Sequence, residues 1–440
     1  MGFDPRTCLE LLRKAEPAQS FGKVNKVVGL VAEAGGISAS LGAVCHILPD
    51  DGGDPIAAEV VGFRDGNLLF MPYGEMRGVR PGSLIRNSSL PPVFPVGPGL
   101  LGRAFDAFGN PLDKGEPIAP EDMVPLYAAP PAPLERPRIV DPLDVGVRAV
   151  NSLLTLGKGQ RVGIMAGSGV GKSTLMGMMA RYTAADVNVM GLIGERGREV
   201  LEFMEKDLGP EGMARSVVIV ATSDQSSLVR MRAAYAATAV AEYFRDQGKD
   251  VLLMMDSVTR FAMASREVGL ATGEPPTTKG YTPSVFAQLP RLLERAGRSD
   301  RGTITGIYTV LVDGDDFNEP VADSVRSILD GHIVLTRALA DQGHFPAIDV
   351  LRSISRLRND IVAREVVEAG RMVTGLMATY KQVADMINIG AYAQGSNPEI
   401  DAAIRMRDPT DAFLRQNVGD RENLVDSFTK LLELATKAQG

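Results

Sequence analysis

The stretch Ala166-Gly-Ser-Gly-Val-Gly-Lys-Ser-Thr174 constrains the fold of this chain more than any other. The apolar run Arg161–Met165 leads into it, and a helical run beginning Ser173-Thr-Leu-Met follows it. A glycine-rich turn between a strand and a helix aims backbone N–H groups at one point. The positive end of the helix dipole adds to them, which makes the turn a receptor for phosphate oxygens. Lys172 can carry charge to the β- and γ-phosphates, and the Ser173 hydroxyl can ligate Mg²⁺. Nucleotide contacts are therefore expected from Gly167, Ser168, Gly169, Val170, Gly171, Lys172, Ser173 and Thr174. Ala166 stands where the strict pattern has glycine.

Such a loop sits at the end of a parallel strand, and the surrounding sequence supplies a parallel sheet. From about Val145 onward, the apolar runs RVGIMAG, VNVMGLIG, SVVIVATS, VLLMMD and TITGIYTVLV alternate with helical stretches such as Leu228–Gln247. Parallel strands need long crossovers and are buried on both faces, so this alternation predicts an α/β domain over residues 138–360.

The flanks read differently. Residues 1–20 begin with a short amphipathic helix, in which Leu9, Leu12 and Ala15 form one stripe with Cys8 and Leu11 beside it. Residues 21–91 hold short β-type runs (Lys23–Val31, Gly42–Leu48, Ala57–Gly62, Asn67–Met71) broken by Gly, Asp and Pro. That pattern suits a small barrel or sandwich, and a β-barrel domain is the expectation. Residues 92–137 are rich in Pro and Gly and read as a connector with little regular structure. Over residues 361–440 helical spacing takes over: Val362, Val366, Val373, Leu376, Met377, Tyr380, Val383 and Met386 form a stripe, and Asn423–Lys437 reads as a final helix.

Composition narrows the function. No apolar run approaches the ~20 residues of a membrane-spanning helix, and the first residues lack a secretory core, so a cytoplasmic protein is expected. Cys8 and Cys45 lie outside any metal or redox spacing, as do His46, His332 and His344, so structural roles are expected for the two thiols and packing or surface roles for the three histidines. A net charge of −7 and 5% aromatic residues offer no polycation and few stacking platforms, so no nucleic-acid partner is expected.

A phosphate-binding loop needs an acid on a neighbouring strand to support the metal, and Asp256 closes the apolar strand VLLMM. Hydrolysis also needs a group that orients water. Glu195, at the end of GLIG, fits that place, and Glu199 competes with it on spacing alone.

Ordered motifs along residues 20–400 carry a family resemblance. They are LLGRAFDAFGNPLD, RPRIVDPLDVGVRAVNSLLTLGKGQRVGIMAGSGVGKST, GLIGERGREV, EPPTTKGYTPSVFAQLPRLLERAG, DGDDFNEPVADSVRSILDGHIVLTR and HFPAIDVLRSISR. The chain resembles the ATPases of type III protein export, relatives of rotary ATP synthase subunits, and within the group it looks most similar to the flagellar export ATPase. The resemblance implies a homo-hexamer that hydrolyses ATP with Mg²⁺ at sites between subunits. Glu195 matches the catalytic glutamate, Asp256 the Mg²⁺-supporting aspartate, and Arg356 an arginine acting on the neighbour's site. Lys172 joins them as a catalytic residue. Phe345 matches an aromatic that packs on adenine, with Tyr392 a candidate to close the same pocket. The loop Thr272–Thr282 resembles one that faces the ring channel.

The implied partners are a stator-like regulator on the first helix, a central stalk-like protein in the channel, and export substrates with their chaperones. Membrane contact is implied only peripherally, through the export gate. The alternatives are an injectisome ATPase, an RNA-translocating hexameric helicase, and a non-catalytic ring subunit.

Overall fold

The computed structural model describes residues 20–312 and 319–439. The expected amphipathic helix of residues 1–16, and the acid-rich residues 313–318 of one resemblance segment, lie outside the described residues. The chain divides into two compact units. The first comprises Met1–Val93, Ser226–Leu228 and Glu267–Pro276, and the second Phe94–Gln225, Val229–Arg266 and Thr277–Gly440.

Six strands make the first unit a closed barrel: Phe21–Val28 (β1), Val31–Gly35 (β2), Val44–Leu48 (β3), Ile56–Arg64 (β4), Asn67–Pro72 (β5) and Leu84–Leu90 (β6). They pair in the order β1-β2-β5-β4-β3-β6, which decides between barrel and sandwich. Residues two apart point to the same side of a strand, so Ala32 with Ala34, Cys45 with Ile47, Ala58 with Val60 and Leu68 with Phe70 fill the interior. The run read as one strand over Lys23–Val31 is a hairpin, turned at Gly29 with a φ of 58°. β6 escaped the sequence reading because Arg86, Asn87 and Ser88 interrupt its apolar alternation.

The second unit is built on a mostly parallel sheet of nine described strands. Across it run Ile354–Ser355, Gly331–Leu335, Arg161–Ala166, Thr303–Leu311, Asp250–Asp256, Val187–Glu195, Ser216–Thr222 and Arg103–Phe105, with Gly297–Arg298 pairing on Thr303–Leu311. All five predicted apolar strands lie in it side by side and are almost wholly buried. The connector reading needs correction. Arg103–Phe105 pairs in parallel with Val217–Ile219 as an edge of this sheet, and Val93–Val96 pairs with Asp122–Pro125. Strands of three and four residues are too short to reveal a period among so many prolines.

Helices Arg364–Asn388, Pro398–Leu414 and Leu424–Gln439 complete the unit. Val366, Ala369, Val373, Met406, Phe413, Leu431 and Leu434 share one core with Leu153, Leu175 and Ile333 of the sheet region. The expected stripe to Met386 is buried only in its first turns, since the helix runs past the core and Met386 is 47% exposed.

Helix Lys172–Tyr182, which follows the phosphate-binding loop, packs tightly against the π-helical turn Phe203–Leu208. A Cβ on Gly177 would stand 2.7 Å from the Asp207 carbonyl oxygen. Gly177→Ala is therefore expected to destabilise by about 1–3 kcal/mol despite alanine's better helix propensity, read as a lower thermal midpoint.

Candidate nucleotide site

The parallel strands of this sheet all end at one edge. Ala166 pairs with Leu311, Met255 with Tyr308 and Leu192 with Asp256, so the phosphate-binding loop, Asp256 and Glu195 gather there. One strand, Thr303–Leu311, separates the loop strand from that of Asp256, and its Thr309 points into the gap.

The loop itself turns through Gly169 (φ 77°) and Gly171 (φ 88°), a left-handed region that disfavours other residues. Gly171 caps the helix, so the first helical N–H groups face outward as the sequence implied. Arg337 Nη2 donates to the Ser168 carbonyl at 2.9 Å and steadies the loop from a second element. Ser173, in the first turn, is exposed.

Lys172 reaches down from this turn. Its ammonium lies 2.5 Å from Asp256 Oδ1 and 3.7 Å from Glu195 Oε1. The Thr309 hydroxyl donates to the same Asp256 oxygen at 2.7 Å. Burial is the largest influence on Glu195 and the neighbouring charge of Asp256 the next, and together they outweigh Lys172 and raise its pKa to about 7. Glu195 can therefore exchange a proton near neutral pH. Glu199, the competing acid, is 41% exposed and pairs with Arg196 at 3.6 Å, and its carboxyl adds to the upward push on Glu195. Geometry thus favours Glu195.

Sequence reasoning missed Arg260. Its side chain covers Gly194, where a Cβ would stand 2.9 Å from Arg260 Cγ. The stem of Arg260 thus packs on the residue before Glu195, while its Nη1 lies 3.7 Å from Met263 Sδ. The spacing Asp256-x-x-x-Arg260, one turn into helix Val258–Thr272, was the available signal.

A cavity of about 550 Å³ opens beside the loop, lined among others by Gly171, Thr174, Phe345, Arg415, Gln416 and Asp420. A Cβ on Gly171 would lie 3.7 Å from the Phe345 ring; that residue is 46% exposed and lines the cavity. The Phe345 carbonyl accepts from Gln416 N at 3.0 Å. Gln416 Nε2 donates to the Gly146 and Asp420 carbonyls, so this buried glutamine organises the wall. No motif announced it. Tyr392 does not line the cavity: its hydroxyl donates to the Asn397 carbonyl and lies 3.0 Å from Asp401 within its own turn.

Arg356 lies elsewhere. It follows Ser355, which pairs with Gly331 at the start of that strand, whereas the loop joins the sheet where Ala166 meets Leu335. Those ends are roughly 13 Å apart along the strand at about 3.3 Å per residue. Arg356 is exposed and faces no phosphate-binding group of its own chain. In the Thr272–Thr282 loop, Thr278–Gly280 forms a single 3-10 turn with Lys279 at a φ of 49°.

Ser173 in the first helical turn and the Asp256 carboxylate at its strand end offer hard oxygen donors of the kind that suit Mg²⁺. Residues 146–355 match the ATP synthase alpha/beta family, nucleotide-binding domain; residues 24–88 match the beta-barrel domain of the same family; and residues 362–433 match the T3SS EscN ATPase C-terminal domain. The flagellum-specific ATP synthase of Bacillus subtilis is 54% identical, over 98% of each chain. The chain belongs to the ATP synthase alpha/beta family, among its flagellar and type III secretion ATPases. The type 3 secretion system ATPase of Xanthomonas euvesicatoria is 50% identical, over 94% of this chain and 93% of its own. A solved structure of the assembled ATPase EscN in complex with its central stalk EscO, from enteropathogenic E. coli, superposes with a TM-score of 0.87 at 44% identity, covering 94% of this chain and all of that one.

The raised Glu195 pKa carries a stability consequence for this family member. The native state holds that proton more tightly than the unfolded chain between pH 4.5 and about 7, so wild-type stability falls across the window. Glu195→Gln has no such proton. Its thermal midpoint is expected to gain on wild type as pH rises through the window and to hold a constant lead above it; a difference independent of pH contradicts the assignment.

Proposed function

We propose that this chain hydrolyses ATP at sites shared between neighbouring subunits of a homo-hexameric ring, and that hydrolysis drives flagellar type III protein export. The observation that carries the shared site is the split geometry: Lys172, Glu195 and Asp256 converge at one edge of the sheet, and Arg356 stands at the other. Residues Gly167 to Thr174 bind the phosphates, and Phe345 packs on the base. Glu195 takes up a proton from the attacking water, and Lys172 neutralises the β- and γ-phosphate oxygens. Arg356 of the adjacent subunit meets the charge that develops on the γ-phosphate, a contribution worth ~10³–10⁵ in rate. Ser173 would hold Mg²⁺ and Asp256 would support it through water; when bound, the ion supplies charge neutralisation at the phosphates.

Export as the coupled process is supported by the names and identity of the relatives, and the match to EscN with its central stalk supports a stalk-like partner in the channel. A stator-like regulator at residues 1–16 and export substrates with chaperones belong to the same reading. So does a cytoplasmic site of action that reaches the membrane through the export gate. No helix among the described residues is long and apolar enough to cross a membrane. Service of an injectisome is the second reading, since a secretion ATPase matches nearly as well as the flagellar relatives.

Two measurements test the catalytic reading. Lys172→Ala and Arg356→Ala subunits, each lowered about 10³-fold or more on its own yet still measurable, are expected to regain at least about tenfold ATPase activity when mixed, because the mixture reunites an intact loop with an intact arginine. No recovery from rings that still assemble counts against the shared site. Phe345→Ala is expected to raise KM for ATP by about tenfold with kcat little changed, from the lost contact with the base.

A further inference from the structure

Arg358 lies two residues beyond Arg356 and is buried, with 9% of its surface exposed. A buried guanidinium ordinarily faces a carboxylate. The hydrogen bonds of Arg358 run instead to backbone: Nε and Nη2 donate to the Ser152 carbonyl at 3.3 and 3.0 Å, and Nη2 to the Val366 carbonyl at 3.1 Å. Ser152 lies in the last turn of helix Arg148–Leu153, where the dipole is negative and a cation is favoured. Val366 lies in the first turn of helix Arg364–Asn388. Burial first and repulsion from Arg371 second lower the pKa of Arg358 to about 10, so it stays charged at neutral pH.

The surroundings are fitted to this side chain. Gly370 sits inside helix Arg364–Asn388, where glycine is unfavourable, and a Cβ there would stand 3.1 Å from Arg358 Cζ. The guanidinium thus fastens two helices at the root of the segment that bears Arg356. The other side of that root is held separately. The Ser355 hydroxyl donates to the Thr155 carbonyl at 2.8 Å and accepts from Gln160 Nε2 at 3.0 Å, while Arg356 N donates to the Asp330 carbonyl at 3.0 Å. Ser353 to Ser355 and Arg358 line one opening of about 500 Å³, so without Arg358 the segment has room to shift. A displacement of ~1 Å is enough to cost 10²-fold in rate at a charge-stabilising group.

We propose that Arg358 is a positioning residue for Arg356, clamping the arginine segment to the helices on either side so that the guanidinium of Arg356 arrives correctly at the neighbouring subunit's nucleotide. The inference rests on the shared-site reading, and the test separates the two. Arg358→Met, Arg358→Lys and Gly370→Ala are each made in the wild-type and Arg356→Ala backgrounds. Steady-state ATPase kinetics, nucleotide affinity, ring assembly by analytical ultracentrifugation and thermal midpoint are measured for all of them. In the wild-type background kcat is expected to fall at least about tenfold, with nucleotide affinity and ring size unchanged. Arg358→Lys, which keeps a cation for one carbonyl, should lose less than Arg358→Met. In the Arg356→Ala background the same changes should cost nothing further, because there is no guanidinium left to position.

An equal loss in both backgrounds overturns the proposal, as does a loss that tracks broken rings or weakened nucleotide binding. Should Arg358→Met not fold, Arg358→Lys and Gly370→Ala carry the same comparison. If Arg356→Ala itself leaves kcat intact, it is the shared-site reading that fails.

Discussion

Lys172 is held by two carboxylates in a largely buried pocket, 2.5 Å from Asp256 and 3.7 Å from Glu195. Each charge there would be costly alone, and the arrangement persists because each has an opposite partner. The geometry of the loop depends on this cluster. The ammonium fixes the first turn of the helix, the glycines shape the backbone before it, and the strand ends must come into line for the carboxylates to meet it. The parallel sheet delivers that alignment, since side-by-side strands of one direction bring all their C-terminal ends to one edge.

The cluster also sets the proton chemistry. Burial and then the neighbouring charge of Asp256 push the Glu195 carboxyl up, and Lys172, 3.7 Å away, offsets only part of that, so its pKa is raised to about 7. Asp256 is held by Lys172 and by the Thr309 hydroxyl on the same oxygen, which leaves its other oxygen for water or metal. Two acids that each end a strand thus find different surroundings.

Much of this was legible in the sequence, and the reason is local. The loop and its lysine are specified by residues adjacent in the chain, so Gly169 to Ser173 could be placed together; Asp256 stood out as the acid closing an apolar strand, while spacing left Glu195 in competition with Glu199 until the structure brought Glu195 to Lys172. The five buried strands of the sheet were legible because burial on both faces demands unbroken apolar runs. What escaped was long-range. Arg103–Phe105 joins the sheet with three residues, β6 hides among polar ones, and Gln416 reaches the site from more than two hundred residues away to bond Gly146. Tyr392 was a reasonable aromatic for the pocket, but its hydroxyl is taken by its own turn. Arg260 and Arg358 carry no motif, and their meaning lies in Gly194 and Gly370, whose missing side chains make room for them.

If catalysis is completed across a subunit boundary, a structure of the assembled ring will show the two halves of the site meeting. With Mg²⁺ and a non-hydrolysable ATP analogue bound, the Arg356 guanidinium of one subunit is expected within hydrogen-bonding distance of the γ-phosphate held by Lys172 of the next. A filled site with Arg356 turned away from every nucleotide, its γ-phosphate met only by cations of its own chain, would contradict the account.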